Sequence, residues 1–271
     1  MPQLTELIGY EFFRNALAGV LLISIISGIV GTYIVTRRMV SLAGGITHAC
    51  FGGLGLGYFL GWNPLWPAMV FGIGASMGVE WMSLKARMRS DSAIAAVWAL
   101  GMAVGVIMVF LTPGYVPELN AFLFGNILTI SRSDLAVTAI FCCALLLFFI
   151  IGFKRIVMAA FDPDFARVRG LDIKAVNLAM TVFVAVGIVL TIRLVGVMLL
   201  MSMLALPPMI SELFSHRYRT VTYLAIGVAT VTSLAGLIAA TAVDVPCSAL
   251  IVVAQVTVFA LAAAIKKLAN R

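Results

Sequence analysis

One imidazole and one thiol stand in the apolar stretch LAGGITHACFGGLGLGYFLG, residues 42–61, as His48 and Cys50. No residue of the stretch carries a formal charge at neutral pH. Neutral imidazole is a common ligand for first-row divalent metals and can also carry a proton near neutrality. A single imidazole holds an ion weakly, which suits a transport site that the ion must leave. On a helix, the neighbours at i−4, i−3, i+4 and i+7 of His48 are Gly44, Gly45, Gly52 and Gly55, so its own face is lined by glycine. Two readings follow. Glycine lets another helix approach closely, with His48 bonded to a neighbouring carbonyl. Alternatively it clears room beside the ring for an ion. Cys50 lies two residues on, about 200° round the helix, and is a poor co-ligand.

Ionisable side chains inside a bilayer are costly and are functional candidates by default. Glu80 lies about one turn before Lys85, and its plain reading is an interfacial acid paired with a nearby base. Arg193 stands at a break between two apolar runs, and its plain reading is a snorkelling anchor. The thioethers of Met198, Met201 and Met203 are conceivable soft ligands, although methionine in a span ordinarily packs. Cys50, Cys142, Cys143 and Cys247 have no metal-finger spacing and read as small packing residues. The chain has no G-x-x-x-x-G-K-[ST], no H-E-x-x-H and no G-x-S-x-G. Its other histidine, His216, sits in the polar segment SHRYR. These observations argue against an enzyme and for a transporter or channel.

The elements that must position His48 follow from composition. Of 271 residues, 63% are hydrophobic and 11% charged, against roughly 45–50% and about 25% in soluble domains. Continuous apolar runs of about 20 residues indicate helices, not a barrel. The expected fold is all-α: a polytopic helical membrane protein with eight or nine transmembrane helices, residues 1–271 forming one transmembrane domain. Runs fall near 12–36, 40–61, 64–84, 92–112, 118–130, 134–153, 177–192, 194–211, 220–242 and 247–265. The run at 118–130 is too short to cross and reads as re-entrant or interfacial. Those at 177–192 and 194–211 are separated by Arg193 and Gly196, and one of them is expected to span only in part. The N-terminus shows no basic leader or cleavage site, so no cleaved signal peptide is expected. The formal net charge of +7 comes from short basic loops, a topological pattern and not a nucleic-acid surface. Placing those loops in the cytoplasm puts the N-terminus outside and the C-terminus inside.

The longest such connection is FKRIVMAAFDPDFARVRGLDIKAVN, from Phe153 to Asn177. Asp162-Pro163-Asp164 is a helix start, with acid at the N-terminus and proline just inside. Phe161, Phe165, Val168 and Leu171 give an apolar stripe, and Gly170 a stop. The expected short amphipathic helix is either a connector resting on lipid headgroups or a docking helix for a cytosolic partner.

Six segments resemble, in order, the signatures of bacterial ABC-type permeases for zinc, manganese and iron. They are RRMVSLAGGITHA (Arg37–Ala49), SDSAIAAVWALGMAVGV (Ser90–Val106), FLFGNIL (Phe122–Leu128), FDPDFARVRGLDI (Phe161–Ile173), RLVGVMLLMSMLALPPMIS (Arg193–Ser211, with Pro207) and AVDVPCSALIVV (Ala242–Val253). The resemblance implies a homodimer in the bacterial cytoplasmic (inner) membrane, with the ion path along its two-fold axis. It implies cytosolic ABC ATPase subunits beneath and an extracytoplasmic metal-binding protein outside. The divalent metal is cargo, and no permanently bound cofactor is expected. His48 is then the metal ligand, with Gly44, Thr47 and Gly52 lining the path. Asp162, Pro163, Phe165, Ala166 and Gly170 belong to the coupling segment, about 161–173, that meets the ATPase. The family's motif has an Asp where this chain has Gly44, so a hard oxygen ligand is replaced by no side chain. That leans the expected metal from manganese toward zinc. The rivals are an ion-coupled secondary carrier and a passive channel, either acting without an ATPase. A carrier would want several buried acids and an internal repeat, and neither is evident.

Overall fold

Hydrophobic side chains around the whole circumference, with glycine, serine and threonine at intervals, dictate long helices that pack on one another in hydrocarbon. The computed structural model describes residues 9–84, 88–113, 125, 127–243 and 245–269. Nine α-helices run through them: α1 (Glu11–Thr36), α2 (Val40–Leu60), α3 (Leu65–Leu84), α4 (Ser90–Leu111), α5 (Arg132–Phe161), α6 (Pro163–Val168), α7 (Ile173–Phe214), α8 (Tyr218–Val243) and α9 (Cys247–Ala269). A 3-10 turn, Ile127–Thr129, precedes α5. The all-α expectation holds, and no strand occurs among the described residues.

Seven of these helices are long and apolar enough to cross a membrane. The expected eight or nine is reached when α3 and the two halves of α7 are counted as well. A straight helix of 42 residues would run about 60 Å, twice the ~30 Å hydrocarbon core. α7 avoids this by breaking at Gly196, whose φ of 79° and ψ of 169° are not helical. The division read from Arg193 and Gly196 is therefore present, although the two runs remain one stacked element. Gly125, itself at φ 59°, lies with its Cα against the Val195–Gly196 peptide, so closely that a Cβ there would collide with backbone. Ile127 is buried beside Leu194 and Val195 in the same apolar cluster. Residues 118–124 and 126 of the short run lie outside the described residues.

The halves of α7 form the centre. The strongly buried α1 packs along it. Pro208 has no N–H to give to the carbonyl of Leu204. That carbonyl lies against Gly31 of α1, 2.5 Å from where a Cβ would be. Ser24 and Thr32 bond back to the carbonyls of Val20 and Gly28 at 2.7 and 2.6 Å, keeping their hydroxyls satisfied inside the helix. Between α7 and α9, Ser202 Oγ donates to Gln255 Oε1 at 2.5 Å, a buried polar link at membrane depth.

α2 is clamped between α3 and α4. Gly101 and Gly105 of α4 form a G-x-x-x-G pair whose missing side chains let Ala49 and Phe51 of α2 reach backbone contact. In return, Gly55 approaches the Gly105 carbonyl to 2.5 Å and Gly52 the Gly101 carbonyl to 2.9 Å, measured from an ideal Cβ position. Gly74, on α3, has open space where a side chain would go.

This packing yields a prediction. Gly101→Val and Gly55→Val each force the crossing apart and are expected to cost about 1–3 kcal/mol, the range for overpacking. Gly74→Ala is expected to be neutral or mildly stabilising. Thermal unfolding of the purified proteins in detergent separates the cases, and equal midpoints for all three would refute the clamp.

Candidate ion path and docking helix

His48 sits in the middle of α2 and is half-buried. Its imidazole lies flat on the indole of Trp98 from α4, with ring centroids 4.3 Å apart and planes 2° from parallel. The α2–α4 crossing sets this stack, because Gly101 and Gly105 bring Trp98's helix onto the histidine's face. The Nδ1 atom of His48 is buried and has no hydrogen-bond partner among the described residues. The carbonyl bond expected of a packing histidine is thus not made at that atom. Its lone pair is free for a cation when the proton resides on Nε2.

The glycines around His48 divide into two groups. Gly45 faces the side chain of Ile94, and Gly52 faces the Gly101 carbonyl and the ring of Phe71. With Gly55, these serve close helix contact. Gly44 is different. An ideal Cβ there would lie 3.2 Å from the methyl of Met201 and 4.0 Å from its sulfur. Thr47, fully buried, donates its hydroxyl to the Ala43 carbonyl at 2.7 Å, and its oxygen lies 3.9 Å from the Met201 sulfur. The place where the resembling family carries an acid is therefore occupied by a thioether from α7. Met203 is buried and Met198 partly exposed. Cys50 turns away from His48 as its spacing requires, with its sulfur 2.8 Å from an ideal Cβ on Gly72. All four cysteines are free, and Cys50 and Cys142 are buried as packing residues. Among the described residues no three His, Cys, Asp or Glu side chains converge as a metal cage.

Arg193 does more than anchor. Its Nε pairs with Asp134 Oδ1 at 2.8 Å, and a guanidinium nitrogen lies 3.4 Å from Asn63 Oδ1. The arginine thereby ties the break in α7 to the start of α5 and the α2–α3 turn. Glu80 is exposed on α3, and its expected partner Lys85 lies outside the described residues. So do Phe122–Phe124, Asn126 and Asp244 of the sequence signatures.

At the opposite end, α6 starts as its sequence dictates. Asp162 Oδ1 accepts from the Phe165 N–H at 2.9 Å, Pro163 occupies the first turn, and Arg167 pairs with Asp164 at 3.0 Å. Gly170, at φ 74°, lets the Leu171 N–H reach the Ala166 carbonyl at 3.1 Å and ends the helix. Ala166 is fully buried, whereas Phe161, Phe165 and Val168 are exposed, Val168 to 88%. The apolar stripe thus faces outward. Phe161 meets Tyr218 of α8 edge-on at 6.0 Å, and Phe153 meets the same ring at 6.1 Å. These aromatic contacts join the segment to the spans.

Sequence reasoning missed Trp98 and the G-x-x-x-G pair of α4. A tryptophan in an apolar run gives no local sign of stacking, although the glycine pair was visible as a packing motif.

A family model described as the ABC 3 transport family matches residues 9–266. The manganese transport system membrane protein MntC of Halalkalibacterium halodurans is 28% identical, over 95% of this chain and 88% of its own length. A probable iron transport system membrane protein of Haemophilus influenzae is 31% identical, over 99% and 98%. Among solved structures, PsaBC from Streptococcus pneumoniae in complex with Fab matches at a TM-score of 0.86 and 26% identity, covering 96% of this chain and 95% of that one.

The stack can be read optically. Protonated imidazole quenches indole emission on contact. A variant keeping Trp98 as its single tryptophan is expected to lose fluorescence on acidification, and His48→Ala is expected to abolish that pH response. A pH response that persists without His48 would contradict the stacked geometry.

Proposed function

The chain belongs to the ABC 3 transport family, and we propose that it is the membrane-spanning permease of an importer for a divalent metal ion. The observation that carries the proposal is the unpartnered buried Nδ1 of His48, at mid-span between the glycine clamp and the broken helix α7. Relatives named for manganese and iron transport support the cargo class.

His48 supplies the nitrogen ligand. Gly44, Thr47 and Gly52 belong to the wall of the same path, Gly44 and Thr47 meeting Met201 and Gly52 forming the seam with α4. The metal is cargo and passes through, which a sparse ligand set favours. Zinc fits imidazole and thioether better than manganese, which prefers carboxylate. Arg193 and Asp134, locked together, hold the opposite mouth.

Energy comes from cytosolic ABC ATPase subunits, since the sequence carries no P-loop. The exposed stripe Phe161, Phe165 and Val168 docks on them, with Asp162, Pro163, Ala166 and Gly170 fixing the segment's shape. An extracytoplasmic metal-binding protein delivers the ion. A second copy completes the path in the bacterial cytoplasmic membrane. Most of α4 is left unburied in a single copy, and that surface is available to the second copy or to lipid. All of residues 1–271 serve as one transmembrane domain, N-terminus outside and C-terminus inside.

Two experiments test this. Metal uptake in cells is expected to stop when the partner ATPase is inactivated, and to fall at least tenfold in His48→Ala. Uptake that survives ATPase inactivation would establish a carrier or channel instead, whereas normal uptake by His48→Ala would remove only the ligand assignment. Gly44→Asp combined with Met201→Ala, which clears room for the carboxylate, is expected to raise manganese transport relative to zinc.

The docking helix is tested separately. Asp162→Ala removes a cap contributing about 1 kcal/mol, and Phe165→Ala removes exposed apolar surface. Phe165→Ala is expected to leave the fold's melting temperature unchanged while reducing co-purification of the ATPase. Undiminished co-purification would favour the headgroup-connector reading.

A further inference from the structure

A trough of about 540 Å³ opens on the membrane-facing side between α1, α5 and α8. Its floor is apolar and buried: Ile29 of α1 and Phe149 of α5, continued by Leu146 and Ile226. Exposed Ile150 and Tyr223 form its walls. At one end the lining changes to Lys154, Arg155 and Arg219. All three are exposed, and no carboxylate among the described residues lines the trough. Among the described residues none of the three has an ion-pair partner, unlike Arg167, which Asp164 neutralises. Arg219 is held over the trough by its cation–π contact with Tyr223, 5.7 Å from the ring centroid.

We propose that this trough is a binding site for one anionic phospholipid, its phosphate on Lys154, Arg155 and Arg219 and an acyl chain along the Ile29–Phe149–Ile226 floor. Spacing supports this. From Arg219 to Ile226 and from Lys154 to Leu146 the helices rise roughly 10–12 Å, which carries a chain well into one ~15 Å leaflet. Three unneutralised cations converging on one end of an apolar groove complement a single phosphate, and basic pockets between spans bind anionic headgroups for this reason. A further transmembrane helix, about 10 Å wide and 30 Å long, is too large for the volume. A soluble anion would leave the apolar floor uncovered. The site depends only on the chain lying in a bilayer and not on which ion it carries.

Native mass spectrometry of the purified full chain, titrated with phosphatidylglycerol and with phosphatidylcholine, tests the proposal. Each cation near an anionic lipid contributes roughly a fivefold factor, so the anionic lipid is expected to bind at least tenfold tighter. The combined variant Lys154→Gln, Arg155→Gln, Arg219→Gln is expected to lose that preference. The variant Lys174→Gln, Lys266→Gln, Lys267→Gln removes equal charge away from the trough and is expected to keep it. Equal affinity of the wild type for the two lipids overturns the proposal whether or not the variants fold. So does loss of the preference in the distant variant alone. Displacement of phosphatidylglycerol by millimolar inorganic phosphate would assign the cations to a soluble anion and overturn the lipid assignment.

Discussion

Hydrocarbon offers a backbone no hydrogen-bond partner, so every peptide group released from a helix at membrane depth must be met by the protein itself. α7 releases such groups twice, and the rest of the molecule is arranged around both places. At Gly196 the helix breaks, and Gly125 closes on the gap with its bare Cα. At Pro207 and Pro208 the ring nitrogens leave carbonyls of the preceding turn without their usual donors, and Gly31 of α1 lies against that of Leu204. Both close approaches use glycine because only a residue without Cβ allows the backbone that near. α1 is consequently buried along most of its length, and α5 and α8 are left outside with lipid-facing surfaces.

The same economy sets the ion-path candidate. α2 holds its histidine against α4 because glycines on both helices remove the side chains that would keep them apart. Trp98 then covers one face of the imidazole, and the thioether of Met201 fills the recess over Gly44. The result is an aromatic nitrogen in a confined, largely uncharged setting. On the proposed path such a setting would keep the residence of a divalent ion short, because among the described residues no cluster of three His, Cys, Asp or Glu side chains is present to hold it.

Local features were legible in the sequence and tertiary ones were not. The cap of α6 was visible because Asp162, Pro163 and Gly170 all lie in the short segment 162–170. The break in α7 was visible because glycine beside an arginine interrupts an apolar run. Helix ends were less so. α5 continues past the apolar run to Phe161, with Lys154 and Arg155 exposed while Ile156 and Ala159 stay buried. α7 begins at Ile173, earlier than hydrophobicity suggested, because Asp172 caps it through the Ala175 N–H at 3.1 Å. The meaning of the glycines near His48 depended on α4, about fifty residues away. The occupant of the space at Gly44 depended on Met201, farther still. Spacing within one helix carries no record of such neighbours.

The glycine clamp also fixes where this protein can change over evolutionary time. The nearest neighbours of Gly53, Gly55 and Gly57 are chiefly backbone atoms of α3, of α4 and of Pro64 just before α3, which no substitution can move aside. Those positions are closed to drift whatever ion is carried. Gly44 meets the end of a flexible side chain, and both sides of that contact are replaceable. If the proposed path runs past His48, a lineage could retune its choice of metal at positions 44 and 201 while leaving the helix that carries the histidine untouched. Selectivity and architecture would then be inherited as separate traits.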